Sequence, residues 1–155
     1  ALADLLFSTR DFTGAAAAYR EYLHVAPATL PVLLRQGLAL TGSGDTGAAI
    51  EIFRRALNIE PRSIIARQAL LDALRREERF PELEAEARAT LEIDPNDARA
   101  QNLLGMALAS QQRVDEAIEA FEAAVRLDPG LGDARQNLDR AKRRRGRNRI
   151  PERTP

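Results

Sequence analysis

The stretch "EIFRRALNIEP", Glu51 to Pro61, returns further along the chain as "EAFEAAVRLDP", Glu119 to Pro129. Glu, Phe, Ala and a closing acid-Pro stand at matching offsets in both. Two further versions lie between and before them: "AEARATLEIDP", ending at Pro95, and "AAYREYLHVAP", ending at Pro27. The steps from Pro27 to Pro61, to Pro95 and to Pro129 are all equal. A fixed period in the range of roughly 20–50 residues is the mark of a repeat architecture, in which one supersecondary unit is copied along the chain.

Each copy contains two helical patterns. In the second copy Leu33, Gly37 and Leu40 fall at i, i+4 and i+7, the spacing of one helix face. "TGSGD", Thr41 to Asp45, then breaks the chain with two glycines. Ala49, Phe53 and Ala56 resume the period, and Pro61 ends it by forcing the preceding residue out of the α region. The fourth copy repeats the scheme with Leu104, Gly105 and Leu108, a break near Gln112–Arg113, then Ala117, Phe121, Ala124 and Pro129. Gly37 is expected to face Ala49, and Gly105 to face Ala117, with Phe53 and Phe121 filling the space one turn further on. The third copy departs: it has Leu71 and Leu83 where the others have Gly and Ala, and Ala87 where they have Phe. Bulk is exchanged between layers, a swap tolerated when total volume is kept.

Composition agrees with an all-α chain. Of 155 residues 45% are hydrophobic and only 5% aromatic. Alanine and leucine, strong helix formers, dominate the apolar set. There is no cysteine, which excludes disulfides and thiolate chemistry but assigns no compartment; a cytoplasmic one is the working expectation. No apolar run approaches the roughly 18 residues of a membrane span. The chain opens at Ala1 already inside a helical pattern and reads as a processed or truncated piece of something longer. From Arg140 to Pro155 eight basic side chains meet one acid, Glu152, so this segment carries +7 and the body −7 of a formally neutral chain. Arginine replaces lysine everywhere except Lys142, as expected from a GC-rich, bacterial genome.

The pattern resembles the tetratricopeptide repeat (TPR) family, whose 34-residue unit reads W-x2-L-G-x2-Y, then A-x3-F, then A and P. The second copy has Leu33-x2-Gln36-Gly37-x2-Leu40, Ala49-x3-Phe53, Ala56 and Pro61. The fourth has Gln101-x2-Leu104-Gly105-x2-Leu108, Ala117-x3-Phe121, Ala124 and Pro129. The resemblance implies tandem antiparallel helix pairs stacked as a right-handed superhelical solenoid. The units are expected at about 1–29, 30–63, 64–97 and 98–131, with a capping helix at 132–145 and a basic, disordered tail at 146–155. Asp133, Arg140, Arg143 and Arg144 are expected on the outward face of that cap.

No catalytic constellation is visible. His24 is the single histidine, and with no cysteine a transition-metal site has too few ligands. Glu78, Glu82 and Glu86, four apart in "REERFPELEAEAR", could line one helical side, but the interleaved arginines favour a solvated face. "GSGDTG" (42–47) lacks the strand and the Lys-Ser/Thr ending of a phosphate loop and reads as a helix–helix turn. No enzyme activity, cofactor or metal is expected.

The resemblance instead implies binding of a protein or peptide in the groove lined by first helices. Projected onto this chain, that lining comprises Leu34, Arg35, Leu38, Ile65, Gln68, Asp72, Arg75, Arg99, Asn102, Leu103, Met106, Gln136, Asn137 and Arg140. The Lys/Asn/Arg set by which chaperone-binding members hold a terminal carboxylate is not reproduced; of it, only Arg99 fits. The asparagine ladder of another subfamily would need Asn at Arg35, Ala69, Leu103 and Asn137, and only the last has it. Two alternatives stand beside the scaffold reading. One is an adaptor whose basic tail binds nucleic acid or an acidic surface, weakened by the lack of aromatics for base stacking there. The other is the regulatory repeat region of a larger enzyme. Leu2, Leu5, Leu6 and Phe7 form an uncapped apolar start, from which a homo-oligomer is expected.

Overall fold

The computed structural model describes residues 2–148. All regular structure among them is helical: α1 (Leu2–Ser8), α2 (Phe12–Val25), α3 (Leu30–Ser43), α4 (Thr46–Ile59), α5 (Ile64–Arg76), α6 (Phe80–Ile93), α7 (Ala98–Ser110), α8 (Val114–Leu127) and α9 (Gly132–Asn148). The fold is the all-α tandem-repeat class that the period demands. The chain divides into two compact units at Glu78/Arg79, the first carrying α1–α5 and the second α6–α9. The division falls inside the third repeat, between its two helices.

Helix limits follow from local chemistry. Asp11, Asp45 and Asp97 each accept a hydrogen bond from a backbone N–H three residues on, at 2.9, 3.1 and 2.9 Å, closing the first turns of α2, α4 and α7. Ser63 does the same for α5. Pro27, Pro61, Pro95 and Pro129 each stand two residues beyond a helix end, at equivalent places in the four repeats. The turns inside the repeats share a second periodic feature. Arg10, Gly44, Glu78 and Gln112, spaced at the same interval as the prolines, all take positive φ, at 63°, 93°, 53° and 66°. Only one of the four is glycine, so three turns hold a side chain in the left-handed region it ordinarily avoids.

In the first unit, Leu33, Ile52, Ala56 and Ala66 form one buried cluster, and Ala3, Ala15, Ala16, Tyr19 and Ala39 another. In the second unit the core gathers Leu108, Val114, Ala117, Ile118, Ala120, Phe121 and Ala141. Phe53 and Phe121 are buried, 1% and 2% exposed. Each lies on its glycine: a methyl carbon at Gly37 would stand 2.7 Å from Phe53 Cζ, and one at Gly105 would stand 2.6 Å from Phe121 Cδ1. The side chain that a Cβ at either glycine would meet first is the phenylalanine of the motif. The missing Cβ makes room for a ring, not merely for close backbones. Leu71, Leu83 and Ala87 of the divergent repeat are all buried.

Three other expectations change. Glu78 occupies a turn, so it does not share a helical side with Glu82 and Glu86, which lie on α6. The last helix runs through Gly146 to Asn148 rather than stopping at 145. Its final turns are tied down: Lys142 pairs with Glu122 at 2.9 Å, Arg145 reaches Asp115 at 3.7 Å, and Arg144 donates to the Ala109 carbonyl at 3.1 Å and to Gln112. These bonds draw Arg144 inward, off the outward face. The basic tail from residue 149 onward lies outside the described residues.

Candidate functional site

The first helices of the repeats carry most of the projected binding surface. In the first unit, Arg35 and Leu38 of α3 and Ile65 of α5 are exposed, and Leu34, Gln68, Asp72 and Arg75 are half-buried. Arg35 does not stand free. It is ion-paired with Asp4 of α1, which also accepts a 2.8 Å hydrogen bond from the Tyr19 hydroxyl. The Tyr19 hydrogen bond, then that of Arg35, holds the Asp4 carboxyl below its ordinary range. Burial, then Asp4, pushes the Tyr19 phenol up. These groups, with Ala3, Tyr22, Pro31 and Val32, enclose a small cleft of about 220 Å³.

In the second unit the projected residues separate into two sets. Asn102 and Leu103 are buried and serve the packing of α7. Asn102 accepts a 3.0 Å hydrogen bond from the Asn137 amide, which joins α7 to α9. One asparagine rung thus exists, offset by one residue from the register in which the ladder was sought. Met106, Asn137 and Arg140 converge on a cleft of about 470 Å³, and Gln136 and Arg99 are exposed elsewhere on their helices. Phe80, Ala109, Ser110, Phe121, Ala141, Arg144 and Arg147 complete the lining. Arg144 escapes the sequence projection because it is assigned to the outward face, and Arg147 because the projected helix ends at 145. Extending the stripe from Arg140 by four and seven residues would have found both.

Beside this cleft lies a polar cluster that spacing did not single out. Glu84 of α6 is only 7% exposed. Its carboxylate accepts from Arg113 at 2.6 Å and from the Gln111 amide at 2.7 Å, and pairs with Arg88 one turn on. Burial pushes the Glu84 carboxyl up, but the hydrogen bonds from Arg113 and Gln111 and the charge of Arg88 outweigh it, so the group ends below its ordinary value. Arg113 also grips Glu116 through two bonds at 2.7 and 2.6 Å. Every member of this cluster is engaged by its neighbours, an arrangement that fixes the α7–α8 turn against α6. Among the described residues no group of acids and histidine is placed to hold a metal ion, and no helix is long and apolar enough to cross a membrane.

The architecture has close structural counterparts. MamA superposes with a TM-score of 0.84 at 25% identity, covering 94% of this chain and 85% of its own. YrrB, described as a TPR protein with an unusual peptide-binding site, matches with a TM-score of 0.78 at 19% identity, over 86% of this chain and 69% of its own. The first TPR domain of Spaghetti (RPAP3), solved with the HSP90 peptide SRMEEVD, matches with a TM-score of 0.71 at 20% identity, over 79% of this chain and 98% of its own. No curated protein matches the chain significantly. The tetratricopeptide repeat model matches residues 1–64 and again 65–132, the span of the four proline-marked repeats. The chain belongs to the tetratricopeptide repeat family.

Proposed function

We propose that the chain is a non-catalytic module that binds a peptide segment of a protein partner. The carrying observation is the cleft of the second unit, where an apolar floor at Met106 and Ala109 adjoins the amide of Asn137 and the guanidinium of Arg140. An apolar surface with a few convergent polar groups is the usual form of a ligand site. Amide and guanidinium groups suit a peptide, since they bond backbone carbonyls and carboxylates. The peptide-bound Spaghetti domain and the peptide-binding site named for YrrB support the same use of the fold.

The test is an array of labelled ten-residue peptides of varied composition, probed with the full chain and with a Met106→Glu variant. Sequence-selective capture that the variant loses by tenfold or more is the expected result. Uniform background across the array, unchanged in the variant, would remove the reading.

A further inference from the structure

Arg135, in the first turn of α9, donates to the Pro129 carbonyl at 3.1 Å, and the remaining basic side chains of the helix fall into two groups. Lys142, Arg144 and Arg145 are consumed by bonds to α7, α8 and the turn between them. Arg140, Arg143 and Arg147 stand at i, i+3 and i+7, on one helix face; among the described residues none of them forms an ion pair, and Asp139 is the one carboxylate in the cleft that the three share. Arg140 and Arg147 rim the cleft whose floor is Met106 and Ala109, with Phe80 at one wall. Unneutralised guanidiniums beside an apolar floor define the complement they lack. It is an extended segment that brings carboxylates to the rim and one apolar side chain to the floor.

Spacing narrows this further. Seven residues of helix separate Arg140 from Arg147 by roughly 10 Å along the axis. In a polyproline-type extended peptide, residues three apart project from the same side and lie about 9 Å from one another. We propose, building on the peptide-binding reading above, that the cleft between α7 and α9 takes an acidic peptide. Two of its carboxylates lie three residues apart and pair with Arg140 and Arg147, and an intervening apolar side chain packs on Met106. The Asn137 amide, about one helical turn before Arg140, is placed to bond the peptide backbone beyond the carboxylate that pairs with Arg140.

Fluorescence anisotropy with the full chain tests this, using a labelled ten-residue peptide that carries Glu-Leu-Ser-Glu at its centre. Saturable binding is expected, weakened at least tenfold in an Arg140→Glu, Arg147→Glu double variant and by replacing the peptide's Leu with Ala. The Arg140→Lys, Arg147→Lys pair should lose less, because it keeps the charges while losing the bidentate fork. Both arginines are exposed, and circular dichroism of each variant verifies that the helices persist. If the array yields only neutral or basic peptides, the acidic assignment falls while the peptide-binding reading stands. If no peptide binds at all, both fall. Preferential binding of a single-stranded oligonucleotide, insensitive to Met106→Glu and with the steep salt dependence of phosphate contacts, would overturn the proposal in favour of nucleic acid.

Discussion

Each of the two units holds a glycine–phenylalanine wedge at the motif position and a carboxylate that arginine clamps from another helix or turn. The wedges are alike: Phe53 on Gly37 and Phe121 on Gly105, both rings buried. The clamps are not. The Asp4 side chain, paired with Arg35, is 41% exposed, whereas that of Glu84, paired with Arg88 and Arg113, is 9% exposed. The wedge recurs because it belongs to the period and every repeat of regular sequence must pack that way. The clamps are local inventions, and their energetic weight depends on how far water is excluded from each.

The largest expected effect tests the likeness. Phe53→Ala and Phe121→Ala each remove a ring from a filled site and should each cost about 3–5 kcal/mol, measured by chemical denaturation. Near-equal losses would show the two wedges to be energetically equivalent. A loss under about 1 kcal/mol at one site only would mean that its glycine pocket collapses around the gap.

The next effect tests the difference. Glu84→Gln leaves two guanidiniums facing an uncharged amide in a water-poor site and should cost about 2 kcal/mol at neutral pH. Asp4→Asn should cost clearly less, and added salt should erase it, because an exposed pair is screened. The pH dependence has a definite sign. The Glu84 carboxyl is held below its ordinary value in the folded chain, so its stabilisation is fully present above the ordinary carboxylate range and is lost as pH falls through the folded pKa. The Glu84→Gln variant should therefore lose stability less steeply than the parent in that acid range. Parallel acid profiles would relegate Glu84 to a bystander and move the acid sensitivity to Asp4, Glu116 and Glu122, whose carboxyls are also held low.

These two tests mark how far the sequence could be read. The prolines, the glycines and the buried phenylalanines were legible because each recurs with the period, and repetition removes the ambiguity of a single apolar residue. Glu84 was not. It is one of several glutamates in "PELEAEARAT", and its partners Gln111 and Arg113 lie 27 and 29 residues away in another turn. Helical spacing instead grouped Glu78, Glu82 and Glu86, and could not see that Glu78 sits in a turn. The cleft was half legible: Met106, Asn137 and Arg140 follow from the phase of the first helices. Arg147 was lost because Gly146 reads as a helix stop, while the bonds of Lys142, Arg144 and Arg145 carry the helix past it.

The smallest expected effect concerns the positive-φ turns, where the comparison runs along the chain rather than across the clamps. Glycine satisfies the left-handed conformation at Gly44, while Arg10, Glu78 and Gln112 hold it against a Cβ clash worth roughly 1 kcal/mol or more. Glu78→Gly relieves that clash, and it should raise the denaturation midpoint by an amount equivalent to about 1 kcal/mol, reduced somewhat by the added freedom of glycine in the unfolded chain. Gly44→Ala should move the midpoint the other way by a similar amount; no neighbouring atom lies within 4 Å of a methyl carbon there, so the change reports backbone strain alone. Gln112→Gly is a poorer probe, since it also removes the acceptor for Arg144. Opposite shifts at 44 and 78 would show that the four turns are one periodic device, filled by the best residue at one position only. A loss of stability in Glu78→Gly would mean that the Glu78 side chain contributes more than its backbone strain costs, and the equivalence of the turns would end at the third repeat, where the two units divide.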